Sequence, residues 1–153
     1  MTNREKANRR SGQTIGRTMR RASNPRHRFH QSCFACGSTT FQGLRLQFRQ
    51  DGLSIRGTTI IRKSFQSYDG IAHGGIVTTL LDAAMVRCLH NVYRQEPFTC
   101  KLDVRFRLPV PTNVPVGITA RIMAKRNNRC SVAAEIRIEE NLHAHADGVF
   151  MLR

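Results

Sequence analysis

Between Gly75 and Tyr93 the apolar residues Val77, Leu80, Leu81, Ala84, Met85, Cys88 and Val92 recur at the three- and four-residue spacing of a helix. The stripe is wide, so the helix of four or five turns that it predicts is largely enclosed rather than laid on a surface. The other patterned segments alternate with a period of two, which means that whatever encloses this helix is built of strands. A lone enclosed helix within a chain of strands allows few architectures.

Before the helix, from Gln42, Leu44, Leu46 and Phe48 alternate with Arg45, Gln47 and Arg49. Asp51-Gly52 then supplies a hairpin turn, and Leu53, Ile55, Thr59 and Ile61 form a return strand with Gly57 at the same parity. Tyr68-Asp69-Gly70 breaks the pattern. After Pro97, Phe98, Cys100, Leu102, Val104 and Phe106 point one way and Thr99, Lys101, Asp103, Arg105 and Arg107 the other. A strand at about 116 to 126 places Val116, Ile118, Ala120, Ile122 and Ala124 on one face. The next carries Cys130, Val132, Ala134, Ile136 and Ile138, and the last runs from His143 to Leu152, with turns at Asn127-Asn128 and Glu140-Asn141. The order β-β-α-β-β-β-β predicts an α+β fold in which a curved antiparallel sheet wraps around one long central helix.

A chain of 153 residues suits one folded domain, and the formal charge of +15 points to an anionic partner. Residues 1–32 hold nine basic residues against Glu5 alone, with too few apolar side chains for a core, so they are expected to be a disordered basic tail ahead of a domain at 33–153. The tail lacks the interleaved aromatics of a stacking surface and the pattern of a helix-turn-helix, so nucleic-acid binding is not expected. Without an apolar run near ~20 residues or a secretion signal, the chain is expected to be cytoplasmic and its five cysteines reduced. His27, His30, Cys33 and Cys36 form a His/Cys series of the right chemistry for zinc. Four ligands within ten residues leave little room to fold around an ion, so no metal is expected and the thiols are read as packing groups.

The helix raises a chemical question, because an unpaired buried carboxylate is costly and Asp82 sits amid apolar residues about two turns in. Either it faces water or it acts as a base or nucleophile. Gly74 and Gly75 stand where a loop meets the helix N-terminus, whose open N–H groups and partial positive charge suit an anion or a developing oxyanion. Those glycines would equally serve close packing of helix and strand.

This order of elements resembles the hotdog fold, and HGGIVTTLLD at 73–82 resembles the signature of its small acyl-CoA thioesterases, the PaaI-like group. CFACG and GLRLQF upstream, VRFRLPVP downstream and the closing ADGVF are similar to segments of that group in the same places, so the likeness covers about residues 33–153. It implies a homodimer or homotetramer with each active site across a subunit interface, a CoA thioester as substrate, and no cofactor. It further implies that the Gly74 N–H polarises the thioester carbonyl and that Asp82 of the partner subunit activates water or attacks directly. His73 would shape the glycine turn and contact substrate, and Thr99 would orient the water. Around the substrate the resemblance places Gly75, Ser67 and Gln66, Ser67 standing where related enzymes often have an amide. Met85, Cys88 and Leu89 would set the depth of the acyl channel. The CoA phosphates need basic partners, for which Lys125, Arg126 and Arg129 at one turn and Arg105 and Arg107 on one strand are the candidates. A non-catalytic acyl-CoA-binding protein whose basic tail contacts nucleic acid is the alternative, and Asp82 argues against it. A hotdog dehydratase would need a different Asp–His spacing from that of Asp69 and His73.

Overall fold

The computed structural model describes residues 30–37, 39–40, 43–44 and 46–153. Most of the basic tail, including His27, lies outside the described residues, as do Gln42 and Arg45. The elements run β1 (Phe48–Asp51), β2 (Ser54–Ile60), α1 (Gly74–Tyr93), β3 (Pro97–Phe106), β4 (Pro115–Arg126), β5 (Arg129–Ile138) and β6 (Asn141–Leu152). The strands form one antiparallel sheet of six in the order β1-β2-β4-β5-β6-β3. β3 therefore occupies an edge although it follows the helix directly. No helix among the described residues is long and apolar enough to cross a membrane.

The helix lies in the concavity of the sheet with Val77, Leu80, Leu81, Ala84, Met85, Cys88 and Leu89 buried. Small residues let it come close. Ala120, Ala134 and Ala146 form one cross-strand row through β4, β5 and β6, and a Cβ at Gly148 would stand 2.6 Å from the Met85 sulfur. Arg94 ends the helix in the left-handed conformation, φ 57°, its N–H returning to the His90 carbonyl.

β1 is shorter than the alternation from Gln42 predicts. Leu44 and Leu46 are buried as expected, but their N–H groups bond the carbonyls of Phe34 and Ala35, so this stretch pairs with the segment upstream of it before β1 begins. The other differences come from bulges. One extra residue in a strand reverses the parity of everything beyond it and bends the strand, which helps a sheet to curl around a helix. At Cys100 the β3 register jumps, so Thr99 pairs with core-facing Phe150 and Lys101 with Val149. Phe98 thus shares the outward face with Lys101, and Thr99 joins Leu102 and Val104 on the helix side, contrary to the unbroken alternation. At Met123 the β4 register jumps likewise: Ala124 turns outward opposite Ser131, and Lys125 comes opposite buried Cys130.

Candidate active site

The loop before α1 is tied down at several points. Ser67 N–H bonds the Ile71 carbonyl, Ala72 N–H that of Val110, and His73 N–H that of Phe65. His73 then becomes the N-cap in extended conformation, its Nδ1 accepting the Gly75 N–H at 2.9 Å, so the neutral ring carries its proton on Nε2. Its carbonyl takes the N–H groups of Ile76 and Val77 at 2.9 and 3.1 Å. Of the amides that open a helix without intrahelical partners, those of His73, Gly75 and Ile76 are satisfied and the Gly74 N–H has no partner among the described residues. Gly74 borders a cleft of about 430 Å³ whose walls include Ser67, Phe106 and Arg107. One open donor at the positive end of a helix therefore meets a cleft that also carries a cation.

The cap accounts for the second glycine. A Cβ at residue 75 would stand 3.0 Å from His73 Nδ1 and push the ring off its amide. His73→Ala is expected to lose a typical cap contribution of about 1 kcal/mol, lowering the thermal unfolding midpoint by a few degrees in a calorimetric scan. The ring is thus occupied in shaping the turn.

Asp82 is half-buried rather than enclosed. Its Oδ1 accepts a hydrogen bond of 2.8 Å from Thr99 Oγ1, and Oδ2 receives none from the described residues. The carboxylate opens on a cavity of about 380 Å³ walled by Thr78, Thr79, Ala83 and Val86 of α1, by Thr99 and Leu102 of β3, and by the segment from His30 to Cys36. The Thr99 bond depends on the Cys100 bulge, which turns this hydroxyl toward the helix. Thr99→Val is expected to lower any turnover that uses the Asp82 carboxylate about tenfold, the equivalent of about 1.4 kcal/mol, with Thr99→Ser recovering most of it in the same steady-state assay.

Gly74 and Asp82 are eight residues apart, hence about 12 Å along the helix axis, and they open on different cavities. One chain does not bring both to a single carbonyl. Both cavities border β3, whose outer edge has no strand paired to it among the described residues. Phe98 and Phe106 on this strand are 44% and 54% exposed.

Several expected contacts fall elsewhere. Met85, Cys88 and Leu89 are fully buried against the sheet; the cavity beside Asp82 is lined instead by the helix face at 78, 79, 83 and 86. Gln66 turns its Oε1 to the Gly70 N–H at 3.2 Å and serves the loop rather than the Gly74 cleft. Lys125 lies over the Tyr93 ring, 5.4 Å from its centroid. The hairpin with Arg126 and Arg129 thus sits at the far end of α1, about 28 Å from Gly74 along the axis. Arg105 faces Asp103 at 3.6 Å, leaving Arg107 as the basic candidate that borders the Gly74 cleft. Thr78, Thr79 and Val86 lie three or four residues from Asp82, so helical spacing alone could have found them. The contribution of residues 30–36 carried no such signal.

That segment is compact. Burial lowers the pKa of His30, aided by Arg87 and His90, and raises that of the Cys36 thiol despite the opposing Arg87 guanidinium. Cys88, enclosed between the helix and the sheet, is pushed by burial up to about 11. At pH 8 it is therefore a thiol, and a mass-mapped alkylation time course should leave Cys88 unmodified until the chain unfolds.

A family model described as the thioesterase superfamily matches residues 69–144. Among curated proteins, none matches the chain in sequence. The fold is shared with a crystal structure described as a thioesterase superfamily protein, at TM-score 0.70 and 22% identity over 77% of this chain and 62% of that one. The chain thus spans less than two thirds of that relative. A phenylacetic acid degradation-related protein from Ralstonia eutropha JMP134 matches at TM-score 0.66 and 21% identity, over 71% of this chain and 85% of that one. A hypothetical thioesterase protein from Streptococcus pneumoniae TIGR4, solved with coenzyme A, matches at 0.65 and 16%, over 70% and 87%. The shared architecture is the hotdog fold.

Proposed function

We propose that this chain, a member of the thioesterase superfamily, hydrolyses small acyl- or aryl-CoA thioesters to the free acid and CoA, without a cofactor. The observation that carries the reading is the Gly74 N–H, left open among the described residues at a helix start whose neighbouring amides are capped. A donor fixed in place by the helix start and bordering a cleft suits the stabilisation of an oxyanion.

The active unit is a dimer in which the free β3 edges meet. The Gly74 N–H of one protomer then faces Asp82 of the partner subunit, as the 12 Å separation within one chain requires. Asp82 takes a proton from water, and the hydroxide adds to the thioester carbonyl carbon. The developing oxyanion bonds the Gly74 N–H, and collapse breaks the C–S bond. The proton held by Asp82 passes to the departing thiolate. Thr99 holds Oδ1, which keeps Oδ2 directed at the water. Arg107 pairs with an anionic group of the CoA moiety, and the apolar wall of Ala83, Val86 and Leu102 takes the acyl group. The S. pneumoniae structure with coenzyme A lends support to this substrate class.

Free-thiol release from a panel of acyl- and aryl-CoA thioesters tests the reaction. Acyl-CoA that raises the unfolding midpoint but is never cleaved would turn the reading over to a binding module. The shared site has its own test. Mixed and re-equilibrated Asp82→Asn and Gly74→Pro chains should regain up to about a quarter of the wild-type rate, because random pairing makes half the dimers hybrids and each hybrid keeps one intact site. Failure to complement, with hybrids demonstrated, removes the cross-subunit arrangement.

A further inference from the structure

We propose that His30, Cys33 and Cys36 bind a zinc ion that staples the N-terminal wall of the Asp82 cavity. The Nδ1 or Nε2 atom of His30 and the two sulfurs all lie within 4.8 Å of one another, and Cys36 Sγ is 3.9 Å from His30 Nδ1. Tetrahedral zinc with the usual ligand distances needs sulfur–nitrogen and sulfur–sulfur separations of about 3.5 and 3.8 Å. Side-chain rotations that close the triad by about 1 Å at most would meet them.

The backbone already has the form such a site requires. Cys33 N–H bonds the His30 carbonyl at 3.0 Å and Gly37 N–H the Cys33 carbonyl at 2.7 Å, coiling the ligand-bearing residues into two successive turns. The chain then folds back so tightly that a Cβ at Gly37 would run into the backbone oxygens of Gln31 and Cys33. Thr39 fastens the return, its Oγ1 donating to the Gln31 carbonyl at 2.7 Å. Closeness in sequence argues against a metal site, but this coil lets three of the four residues converge without a second ligand pair. Three protein ligands leave the fourth position of a tetrahedral ion to water.

Ligand type selects the ion. Two thiolates and an imidazole are a borderline-soft set that favours zinc over magnesium or calcium. On binding, both thiols release their protons to solvent, so the ion's two positive charges are balanced by two thiolates. Arg87 Nη2 donates to Cys36 Sγ at 3.3 Å, the kind of outer hydrogen bond that stabilises a metal thiolate. Between His30 and Cys36 no regular helix or strand forms, yet Phe34 and Ala35 wall the cavity facing Asp82. An ion here would order that wall without touching the carboxylate, and it stands apart from the hydrolytic reading.

The test uses the tag-free full chain. Elemental analysis after gel filtration should find one zinc per chain, against less than about a tenth of that in Cys33→Ser and Cys36→Ser, while Cys100→Ser keeps the full content. Cobalt(II) added to the metal-free wild type should give a thiolate charge-transfer band and strong tetrahedral ligand-field bands that saturate at one equivalent. This readout does not depend on how the variants fold. Zinc added back should raise the unfolding midpoint of the wild type by several degrees. A chain without stoichiometric zinc and without the cobalt bands, or a zinc content unchanged in the Cys33→Ser, Cys36→Ser double variant, overturns the site. So does a Cys33–Cys36 disulfide in protein purified under reducing conditions.

Discussion

Asp82→Asn is expected to lower kcat for thioester hydrolysis by at least about 10²-fold, with KM and the unfolding midpoint little changed. The substitution is close to isosteric, and the amide oxygen still accepts the Thr99 hydroxyl that now sits 2.8 Å from Oδ1. What disappears is the second carboxylate oxygen, the base of the proposed mechanism. Because the residue is half-buried on a cavity wall rather than enclosed in the core, neither Asn nor Ala should unfold the chain. Loss of rate in a folded protein thus isolates the chemistry. Should Asp82→Asn retain more than about half the wild-type kcat, the carboxylate is neither base nor nucleophile, and its bond to Thr99 is only a helix–strand tether.

Gly74→Pro is expected to reduce kcat by about 10²–10³-fold, the usual effect of losing one oxyanion donor. Proline removes the Gly74 N–H, and this is the one helix position that accepts it readily: the first residue, where no intrahelical bond is lost. His73 already has φ −61° and ψ 134°, the extended conformation a residue before proline prefers. Gly74→Ala is the companion variant. It keeps the N–H and adds only a Cβ at ordinary contact, 3.6 Å from the Phe106 ring. Alanine active and proline inactive assigns the effect to the donor. Equal loss in both assigns it to space in the cleft, and equal retention removes Gly74 from the oxyanion site.

Both predictions concern residues singled out from HGGIVTTLLD, and the reason they were legible is local. A glycine pair at a helix start and an acid amid apolar neighbours are anomalies of residue type, visible without coordinates. The geometry between them was not. Periodicity placed Thr99 on the face opposite Leu102, and only the register jump at Cys100 turned it toward Asp82. Lys125 shows a related effect: in sequence it belongs to a charged turn, but the bulge at Met123 brings it opposite Cys130 and over the Tyr93 ring.

By itself the sequence determined the single helix, its buried stripe, the order of the strands and the residues capable of chemistry, because each of these is written in side-chain type at a spacing of two, three or four. Tertiary structure alone decided which strand became the free edge, where the ladder slipped, and that residues 30–36 close the cavity over Asp82. A bulge answers to the curvature the sheet needs to wrap its helix, and the meeting of His30, Cys33 and Cys36 with Arg87 answers to a chain folding back across 51 residues. Neither condition is expressed in the few residues on which it acts.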